Sequence, residues 1–157
     1  MFKEADHQSN FSTFKERTNL IFLVDHAGRA GNGFFQTIFD QHEEVLTCPW
    51  IHYIYSSLIH EFGESDDIKS SDAIRYIDNN KYINLIYRNL DNNNRDFLIK
   101  MGGDPNSIIN REAASKILSS YLSSVVSISR KDFLLLIYFA YAVSLDRNLD
   151  RIRYILT

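Results

Sequence analysis

The stretch Leu20-Ile-Phe-Leu-Val24, Asp25-His26-Ala27-Gly28-Arg29-Ala30-Gly31-Asn32-Gly33, Phe34-Phe-Gln-Thr-Ile38-Phe39 decides the fold class of this chain. Five apolar residues without alternation predict a strand covered on both faces, and Phe34, Phe35, Ile38 and Phe39 then recur at helical spacing. Between them lies a loop with three of the chain's 6 glycines. The unit reads strand, glycine loop, helix. Glycines let backbone N–H groups converge without Cβ obstruction where the helix dipole is positive, which is how a phosphate or sulfate is held. The alternative for the same glycines is a tight strand-to-helix connection that serves sterics alone.

The loop departs from the familiar phosphate motifs. Gly28 and Gly33 satisfy the G-x-x-x-x-G half of a Walker A loop, but Phe34 and Phe35 stand where Lys and Ser/Thr should follow. Both the phosphate clamp and the magnesium ligand are therefore missing, which disfavours an ATPase, a GTPase or a small nucleotide kinase. The order G-x-x-G-x-G reverses the dinucleotide fingerprint, so a Rossmann reading is weak. What remains is an anion site whose charge comes from Arg29.

These residues resemble the sulfotransferase family. Its members are similar in fold to P-loop kinases and begin with an apolar strand, a loop close to Arg-Ser-Gly-Thr-Thr, a helix and Asp-x-His-Pro-Glu. Here the matching residues are Arg29-Ala30-Gly31-Asn32-Gly33 and Asp40-Gln41-His42-Glu43-Glu44. Ala30 and Gly33 lack the usual hydroxyls, Asn32 replaces a Thr, and Glu43 replaces the Pro. The resemblance covers about a fifth of the chain. It implies an α/β fold with a P-loop NTPase-like parallel sheet flanked by helices. It also implies that Gly28, Arg29, Ala30, Gly31, Asn32, Gly33 and Phe34 bind the 5′-phosphosulfate of 3′-phosphoadenosine 5′-phosphosulfate, without a metal. The acceptor would be a small molecule or a carbohydrate. Arg29 would stabilise the transferring group, and His26 beside the loop is the first candidate for general base, since a neutral imidazole has a suitable pKa. His52, Glu43 and Glu44 are weaker candidates. At His42 a structural hydrogen bond is expected.

A second family motif, an Arg at a strand end followed about eight residues later by a helical Ser, would hold the 3′-phosphate. It is expected beyond Thr157. Arg111 and Ser119 have the spacing, but their segment reads as one helix. Candidate strands are 20–24, 44–47, 97–100 and 152–156, so the sheet reads as unfinished and the chain as the N-terminal portion of a longer enzyme. Such a sheet would leave an exposed edge that invites self-association. The domain reading is a polar arm at 1–18 and an α/β domain, incomplete, at 19–157. The alternative function is a non-catalytic helical interaction module that keeps a degenerate P-loop.

The remaining sequence reads as mainly helical. Ile51, Ile54, Tyr55, Leu58, Ile59 and Phe62 predict a helix closed by Gly63; residues 63–71 read as a solvated loop, and Ser71 or Asp72 as the cap of a short helix with Ala73, Ile74 and Ile77. Further helices are predicted through Tyr82–Leu90, before Asp91–Asn94, and through Ala114–Val125, after a turn at 101–105. Ser129 and Asp132 form a capping-box pattern ahead of Phe133–Val143, which is apolar nearly all round and predicts the central buried helix. No internal repeat is apparent. Trp50, Tyr53 and Tyr55 read as core, and His52, His60 and Glu61 as helix surface in preference to a metal site.

Composition fits these readings. The 157 residues are 45% hydrophobic and 24% charged, with net charge −3, which argues against a broad nucleic-acid or anionic-membrane surface. The longest uncharged apolar run is too short to span a bilayer, and the N-terminus lacks a signal peptide's hydrophobic stretch. The single Cys48 excludes an internal disulfide and fits a reducing, cytoplasmic setting.

Overall fold

A computed structural model of the chain describes residues 4–22, 38–39, 42–48, 51–87 and 109–156; the side chains of residues 4–8 and 51–52 lie outside that description. The chain is α/β and helix-rich. In order the elements are α1 (Glu4–Arg17), β1 (Asn19–Ile21), β2 (Val45–Thr47), α2 (Ile51–Phe62), β3 (Asp67–Lys69), α3 (Ser70–Asn79), α4 (Lys81–Ile86), α5 (Arg111–Ser124), β4 (Ser127–Ser129), α6 (Arg130–Ser144) and β5 (Tyr154–Leu156). The expected strand at 97–100, the turn at 101–105 and the segment Leu90–Asn94 lie outside the described residues.

The core is built on α6. Ser129 caps it by accepting a hydrogen bond from the Asp132 amide at 3.1 Å, as the sequence predicts, and Phe133 through Ala142 are all buried. A helix buried all round needs partners on every side. Here α5 packs against one side and α1 against another. From α1, Phe11 and Phe14, both wholly buried, insert against Phe139 at ring-centroid distances of 5.4 and 5.3 Å. Two aromatics one helical turn apart suffice to dock α1, yet they are too few to mark its composition as apolar.

The parallel sheet has the order β1-β5-β2. Its last strand in sequence lies between the first two, with Leu20, Ile155 and Leu46 abreast. β1 pairs with β5 alone among the described residues, and Ile21 and Phe22 are 42% and 48% exposed. The expectation that this apolar run is covered on both faces is thus not met over 19–22, where the strand is an edge.

The segment 63–71 is not a plain loop. Gly63 ends α2 as expected, at φ +60° with its amide donating to the Ile59 carbonyl at 2.8 Å. Then β3 pairs antiparallel with β4, placing Ile68 opposite Ile128. α3 starts at Ser70 without a side-chain cap from Ser71 or Asp72, because the ribbon already satisfies its first amide: Ser70 N–H donates to the Val126 carbonyl at 3.1 Å.

The chain also carries a repeat that its sequence hides. α2-β3-α3 and α5-β4-α6 match at an offset of 60 residues, with identities only at Leu58/Leu118, Ile68/Ile128, Asp72/Asp132 and Ile77/Ile137. What repeats is burial. Ile54/Ala114, Leu58/Leu118, Ile68/Ile128, Ala73/Phe133 and Tyr76/Leu136 are buried in both copies.

Candidate functional site

In an open parallel sheet, ligands gather outside the carboxyl ends of the strands. Ile21, Leu156 and Thr47 are abreast there. From this edge Phe22 leads into the glycine-bearing segment, and Cys48 leads toward α2. The chain returns through a helical pair of residues, Ile38 and Phe39, and a turn in which the His42 amide donates to the Phe39 carbonyl at 3.1 Å, before entering β2. β1, the helical residues 38–39 and β2 thus follow one another along the chain, and residues 23–37 between them lie outside the described residues. The residues His26, Gly28, Arg29, Ala30, Gly31, Asn32, Gly33 and Phe34 lie outside the described residues.

The edge acquires a wall from α2. Tyr55 packs against Phe22 with ring centroids 5.1 Å apart. Beside them a cleft of about 470 Å³ runs along β1, lined by Thr18, Asn19, Leu20, Phe22 and Tyr55, and by Asp66, Arg130, Lys131 and Leu134. Thr18 is 6% exposed and its hydroxyl has no hydrogen-bond partner, and neither has the buried Nε of Arg130. Both of these buried polar atoms belong to residues that line the cleft; Arg17 Nε, of a second cleft between α1 and residues 143–150, has no hydrogen-bond partner either.

The weaker acid–base candidates divide by sheet end. His42, Glu43 and Glu44 precede β2 and so sit at its amino end, opposite the loop. There the ring of His42, the carboxylate of Glu43 and the backbone of Glu44 hold the turn to its surroundings. His42 Nδ1 accepts from the Glu44 amide at 3.2 Å, the structural hydrogen bond expected of it; Glu43 is ion-paired with Arg151; and the Glu44 carbonyl accepts from the Arg153 and Tyr154 amides. Arg147 fastens the same turn by donating to the His42 carbonyl at 2.6 Å. His52 is on the first turn of α2, on the carboxyl side of β2, with its side chain outside the description. Trp50 also lies outside the described residues.

Arg111 and Ser119 are not brought together as an Arg-strand, Ser-helix pair. Both belong to α5, where eight residues of rise separate them by about 12 Å along the axis. Arg111 reaches Asn84 Oδ1 at 3.5 Å and Ser119 donates to the Lys116 carbonyl at 3.2 Å. Cys48, 1% exposed, is held protonated by burial and is no nucleophile. Among the described residues no group of three or more His, Cys, Asp or Glu is placed to hold a metal ion.

Sequence reasoning missed the cleft. Phe22 sits within a run that reads as core, and Arg130 within one that reads as a capping box, so neither carries a local signal of exposure to a shared cavity. No protein-family model matches the chain, and neither a curated protein nor a solved structure matches it.

Proposed function

We propose that the chain is a sulfotransferase, or the donor-binding part of one, that moves a sulfuryl group from 3′-phosphoadenosine 5′-phosphosulfate to a hydroxyl or amine of a small molecule or carbohydrate. One observation supports the reading: the sequence with the glycines and Arg29 continues the chain beyond the carboxyl end of β1, a parallel strand, and that end is where such sheets bind ligands. Sulfuryl transfer places negative charge in line between donor and acceptor oxygens, so catalysis by analogy with phosphoryl transfer is positioning plus electrostatics. Arg29 and the amides of residues 30–34 supply the charge complement. His26 takes the acceptor proton. His52 is the second choice, and its position at the carboxyl side of the sheet favours it over Glu43 and Glu44.

The cleft beside Phe22 and Tyr55 supports an acceptor approach along β1. An aromatic wall with Asn19, Asp66 and Arg130 around it combines an apolar face with hydrogen-bonding groups, which suits a sugar ring. The test is ligand selection. Adenosine 3′,5′-bisphosphate should raise the melting temperature of the chain more than magnesium-ATP does, because the Walker side chains are absent. Equal or greater protection by magnesium-ATP contradicts the assignment.

The competing reading, a non-catalytic helical module with a degenerate loop, draws support from the weight of the core, which centres on α6 while among the described residues the parallel sheet has three short strands. It requires that neither nucleotide protect the chain.

A further inference from the structure

The two repeated units are related by a pseudo-two-fold axis between Ile68 and Ile128, and their hydrogen bonds obey it. Ser70 N–H donates to the Val126 carbonyl at 3.1 Å and Arg130 N–H to the Asp66 carbonyl at 2.8 Å. The side chains of the same two residues repeat the exchange one carbonyl earlier. Ser70 Oγ donates to the Val125 carbonyl at 2.7 Å, and Arg130 Nη2 to the Ser65 carbonyl at 2.5 Å. Each position sits 60 residues from its mate.

Helix, twelve-residue loop and helix, with an acid at the twelfth loop position, is the plan of an EF-hand. With Asp72 and Asp132 as the twelfth residues, the loops run 61–72 and 121–132, and helices α3 and α6 both start at the tenth position. The calcium-binding pattern is not present in these loops. The sixth position, which needs glycine for its sharp turn, holds Asp66 and Val126, and among the described residues only Gly63 and Asp146 have positive φ. Tyr121 stands at the first ligand position of the second loop and packs its ring on Phe11, 4.9 Å away and near-perpendicular.

Protein cations and a hydroxyl take over instead. Arg130 binds the Gly63 and Ser65 carbonyls of the first loop at 2.6 and 2.5 Å, Lys15 of α1 lies 2.8 Å from the twelfth-position Asp132 of the second, and Arg75 lies 3.0 Å from Asp72. α1 lies on the second unit with Phe11 and Phe14 buried, in the manner of a target helix in the groove of such a pair. We infer that residues 51–79 and 111–144 form an EF-hand-type pair that has exchanged calcium for internal cations, Arg130 and Lys15, and holds α1 permanently as its target helix. Because α1 runs straight into Thr18 and β1, this lock also fixes the strand that leads to the glycine loop. The inference is independent of what that loop binds.

The test uses the full chain. Calcium chloride at millimolar concentration should leave the melting temperature unchanged and give no saturable heat of binding. Arg130→Met should lower the melting temperature by roughly 3–8 °C, the effect of losing charge-assisted hydrogen bonds in a chain of this size. It should also speed amide exchange in the other unit, at residues 67–69. If Arg130→Met does not fold, Ser70→Ala carries the same test, with faster exchange at residues 127–129. Saturable stabilisation by calcium overturns the inference, and so does a variant whose exchange is unchanged in the unit opposite the substitution.

Discussion

Lys15 Nζ lies 2.8 Å from Asp132 Oδ2, tying the first helix to the first turn of the central one. Both side chains are under a third exposed, and the hydrogen bond to Asp132 raises the Lys15 pKa above its usual value. The pair contributes modest energy, as partly solvated pairs do, beside the buried Phe11 and Phe14 of the same helix.

The alkaline limb of stability follows from this pair and from Tyr76, together with Tyr87 and Cys48, whose pKa values burial also raises well above their usual values. Lys15 keeps its proton longer folded than unfolded, so its contribution is intact below about pH 10.5 and is lost as pH rises through the raised value. Burial pushes Tyr76 up to about 12, while its hydroxyl is hydrogen-bonded to Ser57. The unfolded phenol ionises near 10 and the folded one stays neutral, so unfolding gains roughly 2–3 kcal/mol by pH 12. Urea midpoints should fall steadily from pH 9.5 to 11.5, and more gently for Tyr76→Phe. A flat profile contradicts the burial of this hydroxyl.

Phe14→Ala should destabilise the chain by about 3–5 kcal/mol, the range for emptying a buried aromatic site, whereas Lys15→Ala should cost under about 1 kcal/mol. Chemical denaturation of both variants distinguishes a docked helix from a loose arm. A Phe14→Ala loss under about 1 kcal/mol would mean that α1 is not part of the core.

The exposed edge at Ile21 and Phe22 predicts concentration-dependent association, since unpaired strand edges template pairing. Sedimentation velocity should show larger species at high concentration that Phe22→Lys suppresses. A strict monomer over the whole concentration range refutes a sticky edge.

Arg29→Ala should weaken anion binding by roughly 1.5–3 kcal/mol, the scale of a charge-assisted hydrogen bond, with little change in melting temperature. Unchanged affinity with a large fall in melting temperature would identify a structural arginine.

The helices were legible where side-chain periodicity met a stop signal. Residues 51–62 end at Gly63, residues 130–144 begin at Ser129, and the apolar pattern of 114–122 lies within α5. β5 was legible as a strand, but its place between β1 and β2 was not, because strand order is a long-range property that local pattern does not encode. β3 stayed hidden because its three residues sit among charges and serines, and it pairs with β4 through backbone bonds. The pseudo-two-fold was invisible for the same reason: Ala73 and Phe133 fill equivalent buried sites with different volumes, so burial repeats where identity does not. At the candidate site, the reading of an anion loop rests on the glycines and Arg29 in the sequence alone, and that segment lies outside the described residues. The Phe22–Tyr55 wall requires knowing that β1 lies at the sheet edge.

The most direct measurement is an amide chemical-shift titration of the full chain with adenosine 3′,5′-bisphosphate, run beside magnesium-ATP. The account predicts saturable shifts concentrated in residues 28–34 and extending to Phe22, with the bisphosphate binding tighter. Shifts elsewhere in the chain, no shifts, or equal binding of magnesium-ATP at the loop would contradict it.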